Sequence, residues 1–182
     1  MDKTTVLILV GLIIILGAIN IIYSDYFQVA KIKVQGNNLL TANYLIKYSG
    51  LQTKVNIFSI NRREIKHKLE QLPQLKSAVV KRSLPQELII KVVERKPLAI
   101  VPFQGSYQII NKQGWILKVI SDLSTWELPL ITGIKIKKSG NKVKFDSKLT
   151  TAVNYLNKLP STILTKITKL EFSAGGKINL IL

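Results

Sequence analysis

The residues that could do chemistry are few. His67 is the only histidine and there is no cysteine, so a thiolate zinc site and a thiol nucleophile are excluded and a lone imidazole would need partners. His67 falls between Ile65 and Leu69 on a helical pattern whose apolar stripe excludes it, so it reads as a solvated residue. The acidic residues, ten in all, are scattered without metal-ligand spacing. Glu94, in "ERKP" at 94–97, has no neighbouring acid, base or nucleophile that would make it an acid–base catalyst. Ser77 follows Lys76, a pairing that a lysine-rich chain produces by chance, and no serine carries the flanking glycines of a nucleophile elbow. "AGGK" at 174–177 lacks the full phosphate-loop pattern and joins two β runs, which makes it a turn. The sequence therefore implies no enzyme, no cofactor and no metal.

What chemistry remains is recognition. The 182 residues carry 27 Lys and Arg against 10 Asp and Glu, a formal charge of +17 spread along the chain after residue 30. Such a field suits anionic partners: nucleic acid, acidic lipid headgroups or an anionic cell-wall polymer. Basic clusters occur at Arg62, Arg63, Lys66 and Lys68, and at Lys135, Lys137 and Lys138. The aromatic residues do not form an RNA-stacking signature, so nucleic acid is the weaker reading and a solvated face the plainer one. The absence of cysteine does not assign a compartment.

The elements that must position these residues begin with "VLILVGLIIILGAINII" at 6–22, uncharged and with Asn20 its sole strongly polar side chain. With Thr4, Thr5 and Tyr23 it makes a helix of about 30 Å, the thickness of a bilayer core. The expectation is a membrane anchor, with a cleaved signal peptide as the rival reading. Tyr23, Tyr26 and Phe27 then fall at an interfacial aromatic belt. Lys3 faces Lys31 and Lys33 across the span, so local charge does not orient it. Long following domains translocate largely regardless of charge, which favours a cytoplasmic N-terminus and an extracytoplasmic remainder.

Beyond the span, Ala30, Ile32 and Val34 alternate with polar residues as a half-buried strand, and Gly36 and Asn37 supply the positive φ that leaves it. Thr41 and Gly50 bracket a short helix bearing Leu45, Ile46 and Tyr48. Asn61 with Glu64 makes a capping box, Ile60 and Ile65 occupy the staple positions, and Ile65, Leu69 and Leu72 form one stripe ended by Pro73. "SAVVKRSLPQELIIKVV" at 77–93 is a hairpin turning at Pro85, with its second strand, apolar on both faces, at the centre of the sheet.

In order and spacing, "FQVAKIKVQGN", "VNIFSI" and "LEQLPQLKSAVVKRSLPQELIIKVVERKPLA" resemble the POTRA domain of the bacterial FtsQ/DivIB cell-division family. The distinctive elements are "VQGN" with Gly36 and Asn37, the Leu72–Pro73 pair, Ala78, Val80, Arg82, Pro85, and the closing Glu94, Arg95 and Pro97. Pro97 lacks an N–H and holds Lys96 extended, so "ERKP" reads as a joint that closes the strand without starting a helix. "GSYQIINKQGWIL" resembles the start of that family's β domain, with Gly114 at its turn. Asp146 or Ser147 would cap a helix carrying Leu149, Ala152, Val153 and Leu156 up to Pro160, and a hairpin around Gly175 and Gly176 would follow.

The fold class expected is α+β: a transmembrane helix, a β-α-α-β-β POTRA domain, and a mainly antiparallel β domain with one helix. The expected divisions are a cytoplasmic tail at 1–4, the span at 5–23, the POTRA domain at 24–101 and the β domain, read as abbreviated, at 102–182. The resemblance implies a non-catalytic scaffold at the division septum, held in the lipid bilayer by one span. It would bind FtsB/DivIC-like and FtsL-like bitopic proteins and septal peptidoglycan synthesis enzymes. A POTRA module of an outer-membrane pore would need a many-stranded barrel that this length cannot supply. Two strand edges are the candidate partner sites: Val79, Lys81 and Arg82 in the first domain, and Leu170, Phe172, Ile178, Leu180 and Leu182 in the second.

Overall fold

Helix α1, Lys3–Tyr23, has a window of mean hydropathy 2.9 and no buried residue, so it is long and apolar enough to cross a membrane. Its one amide side chain is satisfied locally, because Asn20 Nδ2 donates to the Leu16 carbonyl at 2.9 Å. The computed structural model describes residues 2–124, 126–173 and 177–182. The turn expected at Gly175 and Gly176 lies outside the described residues. The chain divides into two compact units at Val93/Glu94.

The first unit contains strand β1 (Lys31–Gln35), helices α2 (Ala42–Ser49) and α3 (Arg62–Glu70), and strands β2 (Leu75–Ser83) and β3 (Glu87–Glu94). The sheet order is β1-β3-β2, with β1 parallel to β3. Local signals explain the helix ends. Thr41 Oγ1 accepts from the Tyr44 N–H at 3.2 Å, Gly50 stops α2 at φ 77°, and Asn61 Oδ1 accepts from the Glu64 N–H at 3.3 Å. Helix α3 closes at Glu70, ahead of Pro73, through a turn in which the Leu72 N–H reaches the Leu69 carbonyl. Leu45, Ile65 and Leu69 of the helices pack on Leu88, Ile90 and Val92 of β3. The other face of β3 carries half-buried Ile89 and exposed Val93, so this unit covers one face of its sheet and not both. Gly36 is obligatory at φ 83°, since a Cβ there would lie 2.2 Å from the Val92 carbonyl oxygen.

Lys33 and Glu87 bridge the β1–β3 pair at 2.6 Å. The hydrogen-bonded ammonium of Lys33 holds the Glu87 carboxyl below its ordinary range. A carboxyl depressed on folding adds stability that is complete above its unfolded value, about 4.3, and is lost as pH falls below that toward the folded value. The thermal midpoint of the detergent-solubilised chain is thus expected to fall more steeply through this acid range than in Lys33→Met. Parallel profiles would remove the bridge from the account. The pair is solvent-facing, so the difference is small.

The second unit contains β4 (Ala99–Phe103), β5 (Ser106–Ile110), β6 (Ile116–Ile120), β7 (Leu130–Thr132), the ribbon β8 (Lys137–Ser139) and β9 (Lys142–Lys144), helices α4 (Ser147–Lys158) and α5 (Ser161–Leu164), and strands β10 (Lys169–Phe172) and β11 (Ile178–Ile181). Six strands are ordered β11-β10-β7-β4-β5-β6. β7 runs parallel to both neighbours and the remaining pairs are antiparallel, so the sheet is mixed. The crossover through α4 is what makes a parallel β7–β10 pair possible. Asp146 Oδ1 caps α4 by accepting from the Leu149 N–H at 2.8 Å. Leu149, Ala152, Val153 and Leu156 pack on Ile131 and Leu170. An expected boundary at 101/102 falls inside β4; the apolar run after Pro97 is sheet core of the second unit, pairing from Ala99↔Ile110 onward.

Candidate functional site

In the first unit β2 is an outer strand. Val79 and Lys81 are exposed on it. Arg82 is not available to a partner: Nε donates to the Ile57 carbonyl at 2.7 Å, and Nη2 donates to those of Phe58 and Ile60 at 2.9 Å each. Burial, and then the neighbouring Arg62, lower its pKa without discharging it. Its place in the alternation Ala78, Val80, Arg82 puts it on the inward face, a signal the sequence does carry. The edge is also partly closed, because the Ala78 N–H donates to Glu70 Oε1 at 3.0 Å. That bond shows the Ala78 N–H pointing away from β3, so by alternation the donors of Val79 and Lys81 point into the sheet. A proline at 79 or 81 would break the β2–β3 pairing and not the free edge.

In the second unit β11 is an outer strand, paired to β10 from Phe172↔Ile178 to Lys169↔Ile181. Leu170 and Phe172 are buried in the core, so they support this edge from beneath and offer no contact surface, which corrects their place among the partner residues. The alternation in "KLEF" gives a buried face, and that face is taken by α4. The apolar residues of β11 are open: Ile178 is 44% exposed, Leu180 39%, Ile181 45%, and the adjoining Leu182 76%.

The bonding pattern fixes which groups of β11 are free. The Ser173 N–H reaches the Lys177 carbonyl at 3.0 Å and the Thr168 N–H the Ile181 carbonyl at 2.9 Å. Asn179 and Ile181 therefore face β10, and the N–H and C=O of Ile178 and Leu180 point outward. Natural edges are blunted by charge, proline or a covering segment. The opposite edge, β6, has exposed Lys118 and a bond from the Ile116 N–H to the Asn141 carbonyl at 2.9 Å. "INLI" of β11 has no charge and no proline.

The other motif residues are structural. Asn37 Nδ2 donates to the Leu40 carbonyl at 2.8 Å, Pro73 follows α3, and Pro85 sits in the β2–β3 turn. β3 ends at Glu94. Arg95 belongs to the second unit, where Nη1 donates to Gln113 Oε1 at 2.8 Å and the guanidinium lies 4.6 Å from the Trp115 ring centre. Pro97 leads into the core residue Leu98. The basic ribbon sets Lys137 directly opposite Lys144, and among the described residues neither forms an ion pair with a carboxylate. His67 is exposed, and the described residues contain no group of three His, Cys, Asp or Glu able to hold a metal.

Comparison with known proteins matches two consecutive segments to two domain families. Residues 27–95 match the FtsQ-type POTRA domain, and residues 99–182 the C-terminal domain of cell division protein FtsQ/DivIB. The chain belongs to the FtsQ/DivIB family. It is 29% identical over 133 residues to the cell division protein DivIB of Clostridium acetobutylicum, covering 72% of this chain and 53% of that one. To DivIB of Staphylococcus aureus (strain NCTC 8325 / PS 47) it is 24% identical over 131 residues, 72% of this chain and 30% of that one. To FtsQ of Syntrophotalea carbinolica it is 31% identical over 111 residues, 61% of this chain and 39% of that one. The chain thus spans about half or less of the length of these curated relatives.

Proposed function

We propose that the chain is a single-pass membrane scaffold of the bacterial division machinery, with its N-terminus cytoplasmic and both units extracytoplasmic at the septum. In this reading β11 receives a strand from an FtsB/DivIC-like partner, with FtsL-like proteins and septal peptidoglycan synthesis enzymes in the same assembly. The observation that carries it is the uncharged outer strand β11, whose outward N–H and C=O groups lie beside exposed apolar side chains. An incoming strand would pair those backbone groups, and alternate side chains would set specificity. Fluorescently tagged full chain is expected to gather at the division site and to carry a C-terminal epitope open to external protease. Uniform membrane fluorescence, or a protected epitope, would reject the reading.

A second reading rests on the Lys137–Lys144 pair. Like charges directly opposite on a ribbon are destabilising unless a counter-charge joins them. An anionic wall polymer would supply it, and co-sedimentation with purified wall polymer that disappears on adding salt and in Lys137→Gln/Lys144→Gln is the expected outcome. Co-sedimentation unaffected by either would exclude the ribbon.

A further inference from the structure

The chain returns twice to the point where α1 ends. Asn56 Nδ2, from 34 residues along the chain, donates to the Ile22 carbonyl at 2.7 Å, one of the last-turn acceptors that no helical N–H satisfies. Gln86 Nε2, in the β2–β3 turn, reaches the Asp25 carbonyl at 3.4 Å. Ring contacts reinforce the tie, with Phe27 centred 5.1 Å from both Tyr26 and Phe58. One end of the first unit is therefore held at the exit of α1 and does not hang from it on a free tether.

That end is apolar where it should be polar if water surrounded it. Tyr26 is 62% exposed, Phe58 40%, Leu84 57% and Val55 38%. Cations border the patch: exposed Lys54 precedes Val55, and the Arg82 guanidinium lies 5.8 Å from the Phe58 ring centre, with Arg62 near it. The opposite end also exposes Leu39 and Val93, so what distinguishes this one is its bonds to the exit of α1. β1 and β3 run in parallel away from α1, from Lys31↔Glu87 to Gln35↔Lys91, which places Lys91 about 13 Å farther out.

We propose that this end of the first unit lies on the bilayer that α1 crosses, with Tyr26, Phe58 and Leu84 in the interfacial layer and Lys54 and Arg62 at anionic headgroups. Amphipathic rings and apolar side chains gain from the interface while flanking cations meet acidic lipid. The bond from Asn56 to Ile22 then lies where little water competes for it. The POTRA unit would then be held in a fixed stance on the membrane. The inference rests on the reading of α1 as a membrane span, and its test separates the two.

The chain has no cysteine, so a single introduced thiol is unique. Full-length chain carrying Ile13→Cys, Phe58→Cys, Leu84→Cys or Lys91→Cys, each labelled with an environment-sensitive fluorophore, is reconstituted into vesicles of phosphatidylethanolamine and phosphatidylglycerol. Nitroxide lipids labelled in the acyl chain or the headgroup are the quenchers. Position 13 is expected to be quenched from the acyl chain, and positions 58 and 84 to be blue-shifted and quenched from the headgroup several-fold more than position 91. Leu84 is largely exposed, so its variant reports even where the loss of the Phe58 ring disturbs the fold. Quenching at 13 with equal, water-like emission at 84 and 91 would overturn the proposal, whether the unit tumbles freely or its apolar end meets a protein. Absence of quenching at 13 would instead overturn the span, and the membrane stance with it.

Discussion

Leu180→Pro is expected to abolish capture of an FtsB/DivIC-like partner while the second unit stays folded. The outward N–H of Leu180 makes no bond to β10, so a proline there removes nothing from the sheet, and an extended edge accepts its fixed φ. What it removes is a donor to an incoming strand, and its ring occupies the space of the partner's carbonyl. One lost bond of about 1.4 kcal/mol is already tenfold in affinity, and the steric conflict adds to it. Leu180→Ala keeps the N–H and is expected to weaken binding less. Asn179→Pro is the counter-control, because the Asn179 donor faces β10 and its loss should disorder the edge. Titrated pull-down with circular dichroism on each variant reads all three. An affinity for Leu180→Pro equal to that of the unaltered chain would remove strand addition at β11.

Arg82→Ala is expected to lower the stability of the first unit by about 3 kcal/mol, from three charge-assisted bonds with the solvent-facing one discounted. A unit of this size holds on the order of 3–5 kcal/mol in all, so the variant should sit near its unfolding midpoint at room temperature. The three carbonyls belong to Ile57, Phe58 and Ile60, in the segment that joins α2 to α3. Arg82→Lys offers one point donor in place of a planar fork and should recover only part of the loss. Urea titration measures both variants, and an unchanged midpoint for Arg82→Ala would show that the fork is ornamental.

Sequence alone goes furthest where the cause is local. Thr41, Gly50, Asn61 and Asp146 act on backbone groups within a few residues, and each caps or stops the helix its position implies. Gly36 is legible for the same reason, although the Val92 carbonyl that forbids a Cβ lies across the sheet. Long-range pairing is where the reading stops. Arg82 shows its inward face in the alternation with Val80, but its acceptors lie 22 to 25 residues back. The three residues of β7 have no periodicity of their own, yet they carry both parallel pairings of the mixed sheet. At the candidate site, the uncharged outer strand is visible in "INLI", whereas the direction of its free donors follows only from the register with β10. Leu170 and Phe172 sit one strand inward on the same face, and only the packing of α4 shows that this face is core.

The most direct test of the central claim is site-specific photo-crosslinking in dividing cells, with the photoreactive residue at Asn179 or Ile181 in β11, at Val79 in β2, or at Lys118 in β6. An adduct with the FtsB/DivIC-like partner is expected from β11 and none from β6. Adducts from β6 or β2 with none from β11 would contradict that claim.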